Sequence, residues 1–285
     1  MTSFYKLSNL DKELWPKITK KDLINYLLYV GPVLKEYLKG KPLALLRAPD
    51  GINKASFVQK NLPDFAPPTI KTWEFKHQER ITRFMLLNSN QDLVYLGNQA
   101  CVEIHSWLST IYEWDKPCEL VIDLDPKPEV EYKYWQQAAF MIYELLLKIG
   151  LSSYPKLTGR KGIHIMIPLT PQYSYKELSP FLKALKELIV HLWPDLFTTE
   201  LRKDKRAAPI FLDLGQNGLE KTVIAPYSPR FEPHGPVAIS LSWESFAKMK
   251  EKPFWGVKKK DWPPLNMIPT LVQKLPDLFL GADNH

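Results

Sequence analysis

The chain has 285 residues, 45% of them hydrophobic and 12% aromatic, which is enough to bury one large core or two small ones and excludes a disordered chain. Two cysteines, Cys101 and Cys118, exclude a disulfide framework and argue against a structural zinc site, and no apolar run approaches the about 18 residues of a membrane span. The net charge is +7: residues 1–80 hold 14 Lys and Arg against 8 Asp and Glu, and the remainder holds 24 against 23. The basic excess therefore lies in the first quarter, as expected of a part that grips an anionic polymer, although a solvated lysine-rich surface has the same composition. The start, residues 1–6, lacks the apolar stretch of a signal peptide, so the expectation is a cytoplasmic protein without a membrane anchor.

Thr19 is suited to cap a helix running to about residue 38, with Leu23, Tyr26, Leu27, Val30 and Leu34 on one face. Gly40-Lys41-Pro42 ends it, and residues 43–46 read as a strand that enters the loop Arg47-Ala48-Pro49-Asp50-Gly51. Residues 62–68, rich in proline, read as a surface connection, and a helix is expected over about 98–108.

Residues 121–126, Val-Ile-Asp-Leu-Asp-Pro, form a hydrophobic strand that ends in two carboxylates one residue apart. Strand side chains alternate, so Asp123 and Asp125 project to the same side, and Pro126 stops the ladder there. Two such charges repel unless a cation lies between them, which suits Mg²⁺ or Mn²⁺ with oxygen ligands; Asp-x-Asp is also common turn chemistry. An amphipathic helix follows over about residues 132–148, closed by Gly150. Thr158-Gly159-Arg160-Lys161-Gly162 is a polar turn whose glycines let backbone amides approach an anion, with Lys161 adding charge. It opens onto a strand over Ile163–Pro168 carrying His164, a position where a hydrogen-bonded structural histidine is also common. After a helix over about residues 175–192, residues 209–215 place a third carboxylate, Asp213, behind another apolar segment. Three carboxylates on adjacent strands can hold two metals for in-line displacement at phosphorus. Gln216, Asn217 and Arg230 suit triphosphate oxygens, while a surface ion pair is the alternative for Arg230. The tail from Trp243, with Lys258-Lys259-Lys260, reads as a wrap over the core. A strand, a long helix and then closely spaced strands point to a mixed sheet rather than a parallel one.

Several words along the chain occur together in one family. They are Leu7-Ser8-Asn9-Leu10-Asp11-Lys12, Arg47 to Gly51, Phe57-Val58-Gln59-Lys60, Gly97-Asn98, Glu103-Ile104-His105-Ser106-Trp107, Asp123 to Pro126, Lys156 to His164, and Lys203 to Arg206. In that order, over about residues 7–243, the chain resembles the polymerase domain of bacterial ligase D, the non-homologous end-joining polymerase of the archaeo-eukaryotic primase superfamily. The resemblance implies an α+β fold, a primase-like catalytic core with mixed β-sheets flanked by helices. It implies one primase-polymerase domain over 1–285, with a basic N-terminal part (about 1–80), a catalytic core (about 95–245) and the C-terminal wrap (about 246–285).

The activity implied is template-directed nucleotidyl transfer that fills gaps and extends ends, with Asp123, Asp125 and Asp213 holding two Mn²⁺ or Mg²⁺ ions and with ribonucleotides preferred. His105, Thr158, Lys161, Gly162, His164, Gln216 and Arg230 fall where the family contacts the nucleoside triphosphate. Asn9, Lys12 and Lys20 fall where it grips a 5′-phosphate, and Phe57, Lys60 and Arg206 where it meets primer or template. The implied partners are DNA ends or a gapped duplex with a 5′-phosphate, a Ku-type end-binding protein and an ATP-dependent DNA ligase. Thr158 stands where the family usually has Ser, Val58 replaces a second aromatic beside Phe57, and Leu214-Gly215 replaces a bulky pair. A primase starting chains de novo and a non-catalytic DNA-end-binding module of the same fold are the competing readings. A phosphohydrolase or glycosyltransferase would share only the Asp-x-Asp pair. The chain is either free-standing or one domain of a larger protein.

Overall fold

The computed structural model describes residues 6–77, 79–265 and 273–275. The chain divides into two units interleaved in sequence. The first takes Met1–Tyr112, Thr222–Ile239 and Phe254–Ile268; the second takes Glu113–Lys221, Ser240–Pro253 and Pro269–His285.

In the first unit, the Thr19 hydroxyl accepts the Asp22 N–H while the Asp22 carboxylate accepts the Thr19 N–H, a capping box that starts the helix Lys20–Tyr37 where expected. Its apolar stripe, Leu23, Leu27, Val30 and Leu34, is fully buried. A second box, Ser89 with Asp92, starts the helix Asn90–Asn98, and a Cβ on Gly97 would stand 2.5 Å from Ile24 Cγ1, so only glycine allows these two helices to touch there. The helix expected over 98–108 is not formed. Asn98 is the last residue of the helix, Ala100 turns through φ 52°, and Cys101–Ser106 is a strand. The capping box upstream fixes the earlier start, and Val102 and Ile104 suit a strand. That strand lies in an antiparallel sheet ordered Val223–Ile224, Cys101–Ser106, Leu43–Arg47, Ile81–Met85, Thr72–Lys76, with Phe57–Gln59 also paired to Leu43–Arg47.

In the second unit, five strands run in the order Phe197–Thr198, Ile210–Asp213, Glu119–Pro126, Ile163–Pro168, Tyr154–Leu157. The first pair is parallel and the rest antiparallel, the mixed sheet expected. The helix Tyr132–Lys148 packs on the central strands through a buried face that includes Trp135, Ala138 and Ile142. The helix Tyr175–Leu192 starts at a Ser174/Glu177 capping box.

Of the tail, 243–253 belongs to the second unit and 254–265 to the first, while 266–272 and 276–285 of the expected wrap lie outside the described residues. No helix among the described residues is long and apolar enough to cross a membrane.

Candidate active site and nucleic-acid interface

At the end of the strand Glu119–Pro126, buried residues alternate with half-buried ones: Ile122, Leu124 and Pro126 point inward and Asp123 and Asp125 outward. Asp123 pairs in register with Asp213 on one neighbouring strand and with His164 on the other, and His164 pairs with Lys156 on the next. Residues directly opposite in antiparallel strands share a face, so Asp213, Asp123, His164 and Lys156 form one row across four strands, with Asp125 one pleat along. The Cβ atoms of a directly opposed pair stand about 4.5–5.5 Å apart. Lys156 is fully buried in this row, and sequence reasoning overlooked it as a site residue. Its spacing two residues before Thr158, on a strand, was the available signal.

Each carboxylate faces a different partner. Asp123 Oδ1 is 3.6 Å from His164 Nε2, and Asp125 Oδ2 is 3.5 Å from Arg206 Nη1. Asp213 Oδ1 accepts the Gly215 N–H at 2.7 Å. Accordingly, no group of three His, Cys, Asp or Glu side chains among the described residues stands at metal-holding spacing. The donor chemistry nevertheless fits a hard divalent cation, since the row and its neighbour offer three carboxylates. Asp123 and Asp213 stand directly opposite one another, and Asp125 lies one pleat along on the same face.

Around the carboxylates, the Thr158 hydroxyl donates to the Gly162 carbonyl at 3.0 Å and accepts the Arg160 N–H at 3.4 Å, closing a turn in which Gly159 has φ 74°. A Cβ on Gly162 would stand 3.1 Å from the Leu124 carbonyl and 3.5 Å from Asp123 Oδ1. Glycine there is what lets the turn lie against the Asp123 strand. Lys161, at the tip, is exposed. Arg206 stacks 3.8 Å over the Phe211 ring and donates to the Glu200 carbonyl at 2.9 Å. Gln216 is half-buried beside Asp213 in sequence. Asn217, expected to face phosphate, instead clamps the strand Glu119–Pro126: its amide accepts the Val121 N–H at 2.8 Å and donates to the Val121 carbonyl at 2.7 Å. A cavity of about 410 Å³ adjoins Asp213, with Lys183 and Lys186 on its helical wall.

In the first unit, His105 and Arg230 are held by Glu103, a residue that sequence reasoning did not assign. His105 Nε2 is 2.8 Å from Glu103 Oε2, Arg230 Nε is 3.1 Å from Oε1, and Oε1 accepts the Phe231 N–H at 2.9 Å. The Arg230 contact is a charge contact off the N–H axis, and it is buried rather than the surface ion pair considered above. Burial would raise the Glu103 pKa, but the His105 hydrogen bond, the Arg230 charge and the Phe231 amide outweigh it and bring it down to about 2. A carboxylate two residues before His105 on a strand must share its face, the signal that could have found it.

The basic N-terminal part gathers Lys12 and Lys20. The Lys12 N–H donates to the Asn9 carbonyl at 3.1 Å, with Asn9 at φ 50°, and the Lys20 N–H donates to the Lys12 carbonyl at 2.9 Å. Lys20 is buried, donates to the Ser8 carbonyl at 2.9 Å, and has a lowered pKa through burial and then the charges of Lys12 and Arg47. Lys12 pairs with Asp50, which holds the Asp50 carboxyl below the usual range. Phe57 is 47% exposed, with the Arg47 guanidinium 5.1 Å from its ring centroid, and Lys60 is exposed.

The family model described as LigD, primase-polymerase domain, matches residues 19–261. The chain belongs to this family. The LigD primase-polymerase domains are DNA-directed nucleotidyltransferases of non-homologous end joining, with the α+β primase-like fold described above. The bifunctional non-homologous end joining protein LigD of Bacillus subtilis is 36% identical over 84% of this chain and 39% of its own length. The multifunctional LigD of Mycolicibacterium smegmatis is 30% identical over 85% of this chain and 32% of its own. The chain thus spans well under half of these LigD relatives. The polymerase domain from Mycobacterium tuberculosis ligase D, solved in complex with DNA, matches with a TM-score of 0.82 at 28% identity, covering 90% of this chain and 92% of that one.

Proposed function

We propose that this chain extends DNA ends and fills gaps by template-directed nucleotide addition in non-homologous end joining, alongside a Ku-type end-binding protein and an ATP-dependent DNA ligase. The observation that carries the reading is the row of Asp213, Asp123 and His164 across three strands, with Asp125 one pleat away. Asp123, Asp125 and Asp213 would hold Mn²⁺ or Mg²⁺, which supply charge neutralisation at the triphosphate and acidify the primer 3′-hydroxyl.

The chain's own groups do the rest. The Thr158–Gly162 turn sets Lys161 beside the Asp123 strand to meet phosphate oxygens, with Gln216 as a further contact. His164 orients the Asp123 carboxylate. Arg206, fixed by Phe211 and the Glu200 carbonyl, steers the primer or template end, and the cavity beside Asp213 gives the primer terminus room. Asn9, Lys12 and Lys20 take the 5′-phosphate of the far side of a gap, and Phe57 and Lys60 meet the DNA.

The test is extension of a labelled primer on a gapped duplex with a 5′-phosphate, compared with synthesis on a bare single strand. Extension confined to the gapped duplex is expected. Synthesis from two free nucleotides on the single strand would move the chain to the primases.

Lys161→Ala is expected to raise the apparent nucleotide KM while leaving DNA affinity unchanged, because an exposed ammonium at the turn tip serves the incoming phosphates. The reverse pattern in steady-state extension and DNA titrations would reassign the residue. Ribonucleotides are expected to be added with higher kcat/KM than deoxyribonucleotides, through a contact to the 2′-hydroxyl. Single-nucleotide kinetics favouring the deoxy form would refute that preference.

A 5′-phosphate is expected to tighten binding of a gapped duplex by about 1.5–3 kcal/mol, less what Lys12 gives up on leaving Asp50. Lys12→Ala and Lys20→Ala should remove the difference between phosphate-ended and hydroxyl-ended duplexes. Titrations in which both mutations weaken the two duplexes equally would reduce the pocket to a diffuse basic face.

A further inference from the structure

A groove of about 590 Å³ in the first unit uses none of the residues assigned above. Its walls carry Lys17, His234, Phe254, Lys258 and Lys260, with Asp261 as the single carboxylate of the lining. Lys258 and Lys260 come from the lysine run that the catalytic reading leaves unused.

The groove is a built feature. Phe254 is 51% exposed and its ring lies against Gly256: a Cβ there would stand 3.0 Å from the ring, so glycine is what lets it approach the backbone. The segment bearing it is pinned on both sides. Gly256 N–H donates to the Asp261 carbonyl at 2.8 Å, Val257 N–H to Gly235 at 3.0 Å, and Val237 N–H to Trp255 at 3.1 Å. Opposite stands the turn between the strands Glu13–Trp15 and Ile18–Thr19, where Lys17 has φ 62°; His234 has φ 68°. Side chains rarely adopt this left-handed backbone, and two such residues line one groove.

We infer that this groove binds single-stranded nucleic acid, one base stacking on Phe254 while the flanking phosphates meet Lys17, Lys258 and Lys260. An exposed aromatic ring on a pinned backbone segment, among spaced cations, is the arrangement that holds a strand without reading its sequence. A duplex fits it poorly, because its interior bases are stacked on both faces and only a terminal pair has a free one, so a continuous strand cannot lie along the ring and the three cations. The inference goes beyond the catalytic reading and stands whether or not the three aspartates support nucleotide addition. It also gives a gapped or frayed end a second hold, since Lys17 sits on the hairpin that leads to Lys20.

The experiment is an anisotropy titration of the full chain with a labelled oligothymidylate ending in a 5′-hydroxyl, at two salt concentrations, with a blunt hydroxyl-ended duplex as comparison. Phe254→Ala is expected to weaken single-strand binding about tenfold, and Phe254→Tyr to retain it. Lys258→Ala with Lys260→Ala is expected to lower the slope of log K against log salt by about 1.4, at about 0.7 per phosphate contact. Blunt-duplex affinity should change less than single-strand affinity in each variant. Unchanged single-strand affinity in Phe254→Ala, or equal losses on both nucleic acids, would overturn the inference. Should Phe254→Ala not fold, the slope of the double-lysine variant decides, and an unchanged slope counts against the groove.

Discussion

Asp123→Ala, Asp125→Ala and Asp213→Ala are each expected to lose at least about a hundredfold in nucleotide addition, roughly 2.7 kcal/mol of barrier. The three positions share one face of adjacent strands, Asp123 opposite Asp213 and Asp125 one pleat along, and the proposed function makes their carboxylates the metal's oxygen donors. Phosphoryl transfer leaves the protein little to do beyond positioning and charge stabilisation, so removing one of three carboxylates removes much of what it supplies. Each mutation also frees a present partner: Arg206 for Asp125, the Gly215 amide for Asp213 and His164 for Asp123. Asparagine variants keep the shape and an acceptor oxygen while removing the charge, and should be as inactive as the alanine variants if charge is what matters. Mn²⁺ binding followed by electron spin resonance should weaken in step with activity, independently of turnover. Normal extension by any one of the alanine variants would remove that residue from the site.

Legibility in the sequence followed the range of the interactions involved. The helices Lys20–Tyr37, Tyr132–Lys148 and Tyr175–Leu192 announce themselves because caps and a 3.6-residue stripe are local. The same-side geometry of Asp123 and Asp125 follows from the two-residue period of one strand. The segment 98–108 misled because a helix end and a strand start lie three residues apart, and the reversal rests on Ala100, whose left-handed φ nothing in its type foretells. Of the remaining strands, Phe57–Gln59 is three residues long and carries no alternation, so its neighbours define it, whereas Thr72–Lys76 alternates polar with aromatic residues and its strand signal is local. Long-range partners were least visible. That Asn217 bonds Val121, 96 positions away, and that Glu103 faces Arg230 are facts of tertiary packing, with no spacing rule to expose them. The pairing of Lys12 with Asp50 belongs to the same class.

Glu103→Ala is expected to destabilise the protein by about 3–5 kcal/mol, because it removes one side of a buried ion pair and leaves a cation to bear its desolvation. The carboxylate faces the Arg230 guanidinium, the His105 imidazole and the Phe231 amide, so three groups lose this acceptor together. Glu103→Gln keeps the volume and one acceptor oxygen and should cost less. Acid provides an independent reading of the same interaction. The folded pKa of about 2 lies below the ordinary value of 4.5, so the unfolded chain binds the proton first as pH falls. The stabilisation is therefore complete above about pH 4.5 and is lost progressively between there and about pH 2, to a total of roughly 3 kcal/mol. Urea unfolding at pH 7, 4 and 3 should show the unmutated protein losing stability over that window more steeply than Glu103→Gln, which has no carboxyl to titrate there. Parallel curves for the two proteins would mean that Glu103 carries no charge-dependent stability. A cost below about 1 kcal/mol for Glu103→Ala at pH 7 would mean that the Arg230 charge is solvated by other means.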